Sequence, residues 1–183
     1  MRIMIPIVVL SIILASVSFG QDAKFGVGGF GGLILPAVMD DQGNGTVFGL
    51  KARIKIMPLI TAEPNITFGK WGEPDPIDGF NPGIDGSKIN SYGVDATFGN
   101  SPGVIGFKPY GVLGAAIYSI KNDDTGFDES KLGWSIGLGF GFGFSPQFDL
   151  DIRGKANVAL QENGSKKALY ITAGLNYYFK TGE

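Results

Sequence analysis

The chain ends in an alternating run of side chains that is typical of a β-strand with two different faces. Over residues 167–180, large apolar side chains occupy nearly every second position, with small, polar or tyrosine side chains between them. A period of two indicates a strand, because successive side chains point to opposite faces. One face holds Leu169, Ile171, Ala173, Leu175, Tyr177 and Phe179, and the other holds Tyr170, Thr172, Gly174, Asn176 and Tyr178.

Seven earlier segments show a similar alternation, so the chain has the strand number of a small barrel. The predicted strands are 24–35, 46–56, 59–71, 88–99, 104–120, 131–144, 148–159 and 167–180. Their connections alternate between long polar segments, at 36–45, 73–87, 121–130 and 160–166, and tight turns, at 57–58, 100–103 and 145–147. In an up-and-down barrel this alternation places all long loops at one end, as in outer-membrane barrels.

The segment 131–144 indicates which face of the barrel points outward. Its large side chains are Leu132, Trp134, Ile136, Leu138, Phe140, Phe142 and Phe144, whereas the intervening positions are glycines and one serine. So many large groups from one strand would overfill the interior of a small barrel. Turned outward, they would coat the barrel for lipid. The predicted fold class is therefore all-β, an eight-stranded antiparallel up-and-down transmembrane β-barrel.

Charged residues of the strands alternate with the apolar ones and are expected to face the lumen. A Lys or Arg at mid-depth in hydrocarbon would cost roughly 2–4 kcal/mol. We expect an interior ion-pair network of Lys51, Arg53, Lys55, Glu63, Asp95, Asp149, Asp151, Arg153 and Lys155. A structural role is favoured over a selectivity role, because eight strands leave an interior that side chains just fill.

The segment 104–120 leaves its orientation open. Lys108, Tyr110 and Tyr118 share one parity, while Phe107 and Leu113 share the other. A bulge near Pro109 would reconcile the two halves, and Pro64 raises the same question in the third strand.

The N-terminus predicts a secretory signal peptide. A short positive region at Met1 and Arg2 precedes an apolar stretch over 3–14 and small residues around Ser18 and Gly20. This order is that of a signal peptide over residues 1–20, cleaved before Gln21 and followed by a barrel domain over 21–183. The apolar stretch is shorter than the ~20 residues of a membrane-spanning helix.

Composition narrows the chemistry. The chain has no cysteine and no histidine, which removes disulfides, thiolate metal sites and the commonest general base. After loss of Arg2, 14 basic residues stand against 17 acidic ones, so the mature net charge is −3. We therefore expect no catalysis, no cofactor, no metal site and no nucleic-acid partner.

The predicted long loops are acidic. They carry Asp40, Asp41, Glu73, Asp75, Asp78, Asp85, Asp123, Asp124, Asp128, Glu129 and Glu162, which is 11 of the 17 acidic residues. None has the spacing of a calcium-binding loop, which favours a solvated surface, and divalent binding stays open. Aromatic residues near strand ends are candidates for interfacial girdles or for packing. These are Phe25, Trp71, Tyr92, Phe98, Trp134, Phe144, Phe148, Tyr177 and Phe179.

Two motifs carry a family resemblance. The segment Phe-Asp-Leu-Asp-Ile-Arg-Gly from Phe148 follows a Ser-Pro turn, and Gly-Leu-Asn-Tyr-Tyr-Phe ends at Phe179. With the signal peptide and the strands, they resemble the small OmpA/OmpX-like outer-membrane β-barrel family over the whole mature chain. The resemblance implies a Gram-negative outer-membrane location and contact with membrane lipid and lipopolysaccharide. OmpA's peptidoglycan-binding domain has no counterpart here, so cell-wall tethering is not expected.

The same resemblance implies an assembly signal at the C-terminal end. Thr172, Gly174, Tyr177 and Phe179 match the polar-x-Gly-x-x-aromatic-x-aromatic pattern by which the barrel-assembly machinery recognises a last strand. The family usually ends at that aromatic residue, whereas four more residues follow here.

The expected function is that of a monomeric integral outer-membrane barrel with a structural or surface-interaction role, such as envelope integrity or adhesion. One alternative is a narrow porin-like channel for ions or small solutes, lined by Lys51, Arg53, Arg153 and Lys155. A second is a soluble ligand-binding barrel, which would invert the two faces.

Overall fold

Eight antiparallel strands close into one barrel, as predicted. The computed structural model describes residues 25–37, 43–73, 85–161 and 164–179, so the predicted signal peptide lies outside the described residues. The strands are β1 (Phe25–Pro36), β2 (Gly43–Met57), β3 (Ile60–Gly72), β4 (Lys88–Phe98), β5 (Gly106–Asn122), β6 (Phe127–Gly143), β7 (Phe148–Gln161) and β8 (Gly164–Tyr178). Each pairs with its sequence neighbour, and β8 pairs with β1. Across these ranges no helix is long and apolar enough to span a membrane.

The apolar face of the barrel points outward. Leu138 is 74 % exposed, and every large apolar side chain of β6 from Leu132 onward is exposed. The large apolar residues at odd-numbered positions of β8 are exposed as well, while Tyr170, Thr172 and Asn176 are buried. These faces are those predicted for a membrane barrel, and they are opposite to the arrangement that a soluble ligand-binding barrel requires.

The orientation of β5, which the sequence left open, is set by its even-numbered residues. Lys108 and Tyr110 are buried inside, whereas Phe107 is exposed. The predicted bulge near Pro109 is wrong, because pairing with β6 continues without a shift on both sides of it. Pro109 lies beyond the last β4–β5 pair, where a residue that donates no backbone hydrogen bond is tolerated.

Pro64 also leaves the sheet register unchanged. The β2–β3 register is the same on both sides of it, at Lys51–Asn65 and at Ile54–Ala62. The register shifts of this pair lie instead near the strand ends, between Gly43 and Thr46 and between Lys55 and Met57.

Two predicted long loops are largely strand. The β5–β6 ladder continues to the Asn122–Phe127 pair, and the turn between them contains Gly126 at a φ of 69°. The β7–β8 ladder likewise continues to Gln161–Gly164. Most residues of these extensions are polar, with Phe127 and Leu160 as exceptions, so hydropathy alternation fades there although the ladder continues. We call the end of the barrel that carries the β1–β2, β3–β4, β5–β6 and β7–β8 connections the loop end. The opposite end, with the β2–β3, β4–β5 and β6–β7 connections, is the turn end.

The inward glycines of β6 make room for large side chains from β5. A Cβ atom on Gly139 would lie 2.5 Å from Cζ of Tyr110, and one on Gly133 would lie 2.6 Å from a ring carbon of Tyr118. Real Cβ atoms essentially never approach other atoms so closely. The glycine face predicted from the sequence is therefore filled by tyrosine rings.

We expect Gly139→Val to destabilise the barrel by about 1–3 kcal/mol, because the added methyl groups overlap the Tyr110 ring. Gly154→Val is the matched control, since Gly154 faces outward on β7 with nothing within 4 Å of an added Cβ. The control should be neutral or slightly stabilising. Urea unfolding of both variants in lipid vesicles measures the difference, and equal effects would contradict the packing argument.

Candidate functional site

The barrel interior is divided into two layers. The turn-end half contains buried charged residues, whereas the loop-end half contains an apolar and aromatic cluster. That cluster comprises Ile34, Val47, Trp71, Ile89, Tyr118, Ile120, Ala159, Ala168 and Tyr170. Trp71, a candidate for the interfacial girdle, is 2 % exposed and lies inside. That candidate assignment is wrong because Trp71 shares the inward parity of Glu63 and Thr67 on β3.

Asp149 on β7 is the acceptor for several strands at once. Its carboxylate accepts hydrogen bonds from Lys108 Nζ at 2.8 Å, Asn176 Nδ2 at 2.6 Å and the Tyr178 hydroxyl at 2.6 Å. Arg53 Nη1 lies 3.3 Å away and also donates to the Tyr178 hydroxyl. The carboxylate thus connects β2, β5 and β8 across the lumen.

Two carboxylates lie directly opposite each other on β3 and β4 and are held by arginine. Glu63 and Asp95 are register partners. Two like charges directly opposite each other destabilise a sheet unless cations balance them. Arg153 donates to both, at 2.7 Å to Glu63 and at 3.4 Å to Asp95. Arg53 Nε lies 2.8 Å from Glu63, and Lys155 Nζ lies 2.9 Å from Asp95. The two negative charges are therefore matched by cations from β2 and β7.

Asp151 completes the charged layer. It accepts hydrogen bonds from Lys51, from the Tyr110 hydroxyl and, at 2.8 Å, from Arg153 Nη2. Lys51 also lies 3.8 Å from Glu63. Ion pairs therefore link the carboxylates of β3, β4 and β7 into a continuous network.

Lys55 is the one predicted network residue that the structure leaves out. It is partly buried and, within the described ranges, forms no ion pair. It lies beside the register shift near the turn end of β2. The other predicted residues all take part in the network.

Sequence reasoning missed several neutral and charged members. These are Asn100, Lys108, Tyr110, Asn176 and Tyr178. The sequence shows that Lys108 and Tyr110 lie on the same face of their strand, but Pro109 between them left open whether that face points into the lumen. Asn100 follows β4 in a turn, where parity carries no information. Its backbone oxygen accepts hydrogen bonds from Arg53 at 3.3 Å and Thr61 at 3.2 Å.

The predicted assembly residues lie on both faces of β8. Thr172 and Gly174 face the lumen, and a Cβ on Gly174 would lie 2.8 Å from Cβ of Phe30 on β1. Tyr177 and Phe179 face outward with ring centroids 5.2 Å apart. The Phe179 ring stacks on Phe25 of β1 at 5.4 Å, so aromatic contacts cross the seam where the barrel closes.

Little space remains inside the barrel. One cavity offers about 20 Å³ to the centres of water-sized molecules, and a second offers about 10 Å³. One water needs roughly 10–15 Å³ by this measure. Each of these two cavities therefore has room for one or two waters.

Exposed ion pairs occupy the loop end. Lys70 Nζ lies 2.8 Å from Asp85, and Lys88 Nζ lies 2.5 Å from Asp123. The hydrogen bond and charge of Lys88 hold the pKa of Asp123 below its ordinary value. Within the described ranges, no group of three or more acidic residues is arranged to hold a metal ion.

Comparison with protein-family models identifies the chain. The model of the outer membrane protein beta-barrel domain matches residues 7–179. The chain belongs to this family. It is accordingly a bacterial outer-membrane protein, and the predicted family resemblance and location are confirmed. A search of curated proteins found no match.

Solved structures show the same fold. Neisserial surface protein A is 18% identical with a TM-score of 0.67, over 85% of this chain and 97% of that chain. The N-terminal β-barrel domain of Pseudomonas aeruginosa OprF is 18% identical with a TM-score of 0.58, over 85% and 97%. OprG from the same organism is 14% identical with a TM-score of 0.55, over 86% and 96%.

Removing the charge of Asp149 should strongly destabilise the barrel. Asp149→Asn leaves Lys108 and Arg53 without their shared buried anion, and breaking a buried pair costs about 3–5 kcal/mol. Asp123→Asn, which removes an equal charge from an exposed pair, should change the free energy of unfolding little. Urea titration in lipid vesicles tests this, and similar midpoints for both variants would contradict it.

Proposed function

We propose that this chain is a monomeric, non-catalytic outer-membrane barrel with a structural or surface-interaction role. Family membership supports an envelope barrel in general, and the interior favours this role over transport. The ion-pair network occupies the turn-end half of the lumen, and the apolar cluster occupies the loop-end half. The two cavities described above, of about 20 and 10 Å³, each have room for only one or two waters, which is far less than a water-filled path needs.

The alternative is a narrow porin-like channel. A channel needs a continuous wet path, yet Arg53 and Glu63 are completely buried and form an ion pair. Opening such a path would require several buried ion pairs and the apolar cluster to separate together. Each unpaired buried charge would cost several kcal/mol, which opposes spontaneous opening.

Planar-bilayer recording separates the two functions. The purified barrel should show no conductance steps at any applied voltage, while a general porin reconstituted in parallel shows them. Reproducible conductance steps would instead support a channel, above all if Trp71→Ala, which removes the largest side chain of the apolar cluster, increases their size.

The structural role has its own test in cells. Deletion of the gene should increase sensitivity to detergent or bile salts, and the intact gene should restore resistance. A deletion strain with an unchanged envelope but impaired attachment to a surface would favour the interaction role of the loops. Contact with lipid and lipopolysaccharide belongs to both roles.

We further propose that Thr172, Gly174, Tyr177 and Phe179 form the segment read by the barrel-assembly machinery. Their match to the assembly pattern supports this, but Gly174 and Phe179 also make contacts that close the barrel. A test must therefore separate recognition during assembly from stability after folding.

Phe179→Asp should lower the outer-membrane level several-fold more than Phe98→Asp. The two side chains are similarly exposed, at 46 % and 42 %, and both lie near the turn end, but only Phe179 belongs to the segment. Both variants should refold into lipid vesicles without the machinery to a comparable extent. Equal outer-membrane levels in cells would contradict the assembly role of Phe179.

A further inference from the structure

Among the residues that the structure describes, the ion-pair network holds one more cation than carboxylates, and all but the partly buried Lys155 are buried. Its carboxylates are the four at Glu63, Asp95, Asp149 and Asp151, whereas its cations are the five at Lys51, Arg53, Lys108, Arg153 and Lys155. One cation is therefore not matched by a carboxylate of the network. A buried charge without a counter-charge is costly, so an additional anion would be stabilising.

The larger cavity lies beside three of these cations. Lys51, Arg153 and Lys155 line it, together with a single carboxylate, Asp95. Its volume of about 20 Å³ accommodates one or two water-sized species. A monatomic halide is close to that size, whereas a sulfate or a carboxylated metabolite is too large.

The remaining lining supplies neutral hydrogen-bond donors. The lining includes Thr67 and Thr172, whose hydroxyl groups can donate, and Asn65, whose amide nitrogen already donates one hydrogen bond to the Glu63 carbonyl oxygen and has a second N–H. Lys155 donates to both oxygens of Asp95, at 3.2 and 2.9 Å, and an ammonium group has a third N–H. Cations and neutral donors together form a site for a small anion.

We propose that this cavity binds a monovalent halide, chloride in the cell, which balances the excess charge of the lumen. The site lies between the charged layer and the apolar cluster. The halide thereby contacts residues of both layers and stabilises the closed barrel. This proposal goes beyond the structural role and stands independently of what the loops bind.

Bromide diffraction is the direct test. Crystals of the barrel purified from outer membranes and grown in sodium bromide should show an anomalous peak in the cavity, within ~3.5 Å of a lysine Nζ or arginine nitrogen. An empty or water-filled cavity at high bromide would overturn the proposal, because the charge would then be balanced another way, for example by a neutral lysine.

Stability in solution provides the second test. At constant ionic strength, replacing gluconate by chloride should stabilise the barrel, and above the Kd each tenfold rise in chloride should raise the folding equilibrium constant about tenfold. Lys155→Met equalises cations and carboxylates and should abolish this dependence. Lys55→Met removes an inward lysine that does not line the cavity and should retain it.

The variants also exclude a general salt effect. An equal chloride response in the wild type, Lys155→Met and Lys55→Met would show that chloride acts on the surface, and would contradict a site in the lumen. Failure of Lys155→Met to fold leaves the bromide peak of the wild type as the deciding observation.

Discussion

The need to pair buried carboxylates is the constraint on which this barrel depends. Asp149 is almost completely buried, and its partners Arg53, Lys108 and Asn176 are separated from it by 96, 41 and 27 positions in the chain. Asn176 is the register partner of Asp149 on the neighbouring strand, whereas Arg53 on β2 reaches Asp149 only when β8 has paired with β1. A partly closed barrel would leave several charges unpaired, at several kcal/mol each. The network therefore favours complete closure and makes it cooperative.

The same closure requires a specific distribution of side-chain volume. On β6, large apolar groups face lipid, and glycines face the interior, where Tyr110 and Tyr118 occupy the space. Tyr110 in turn donates to Asp151, so the glycine positions and the charged layer depend on each other. In the loop-end half, Trp71 and its neighbours form a buried apolar cluster instead. The two halves of the lumen are thus filled by two different kinds of packing.

Much of the fold was predictable from local pattern, and the errors have physical causes. Alternation predicted all strands and their faces wherever one face meets lipid, as for β6 and β8. It failed at the loop-end extensions of β5 and β6, where most residues are polar and Phe127 is the one large apolar side chain. The alternation also left open which face of β5 points inward. A proline can mark either a bulge or a position with no strand neighbour to accept the backbone hydrogen bond that proline cannot donate, and the sequence does not distinguish these two cases. The network residues were recognisable because charges cannot face hydrocarbon.

Outside β5, the sequence by itself determined which side of the barrel wall the alternating strand residues occupy, because a period of two is a local property and lipid tolerates few charges. Only the tertiary structure decided which charges meet. Contacts across a lumen depend on the register of every strand pair. Lys55, beside the register shift near the turn end of β2, is outside the network, whereas Lys108 on β5 pairs with Asp149 and belongs to it. The layering of charged and apolar halves, and the charge excess beside the larger cavity, arise in the same way. They are properties of the closed barrel, in which residues distant in sequence become neighbours.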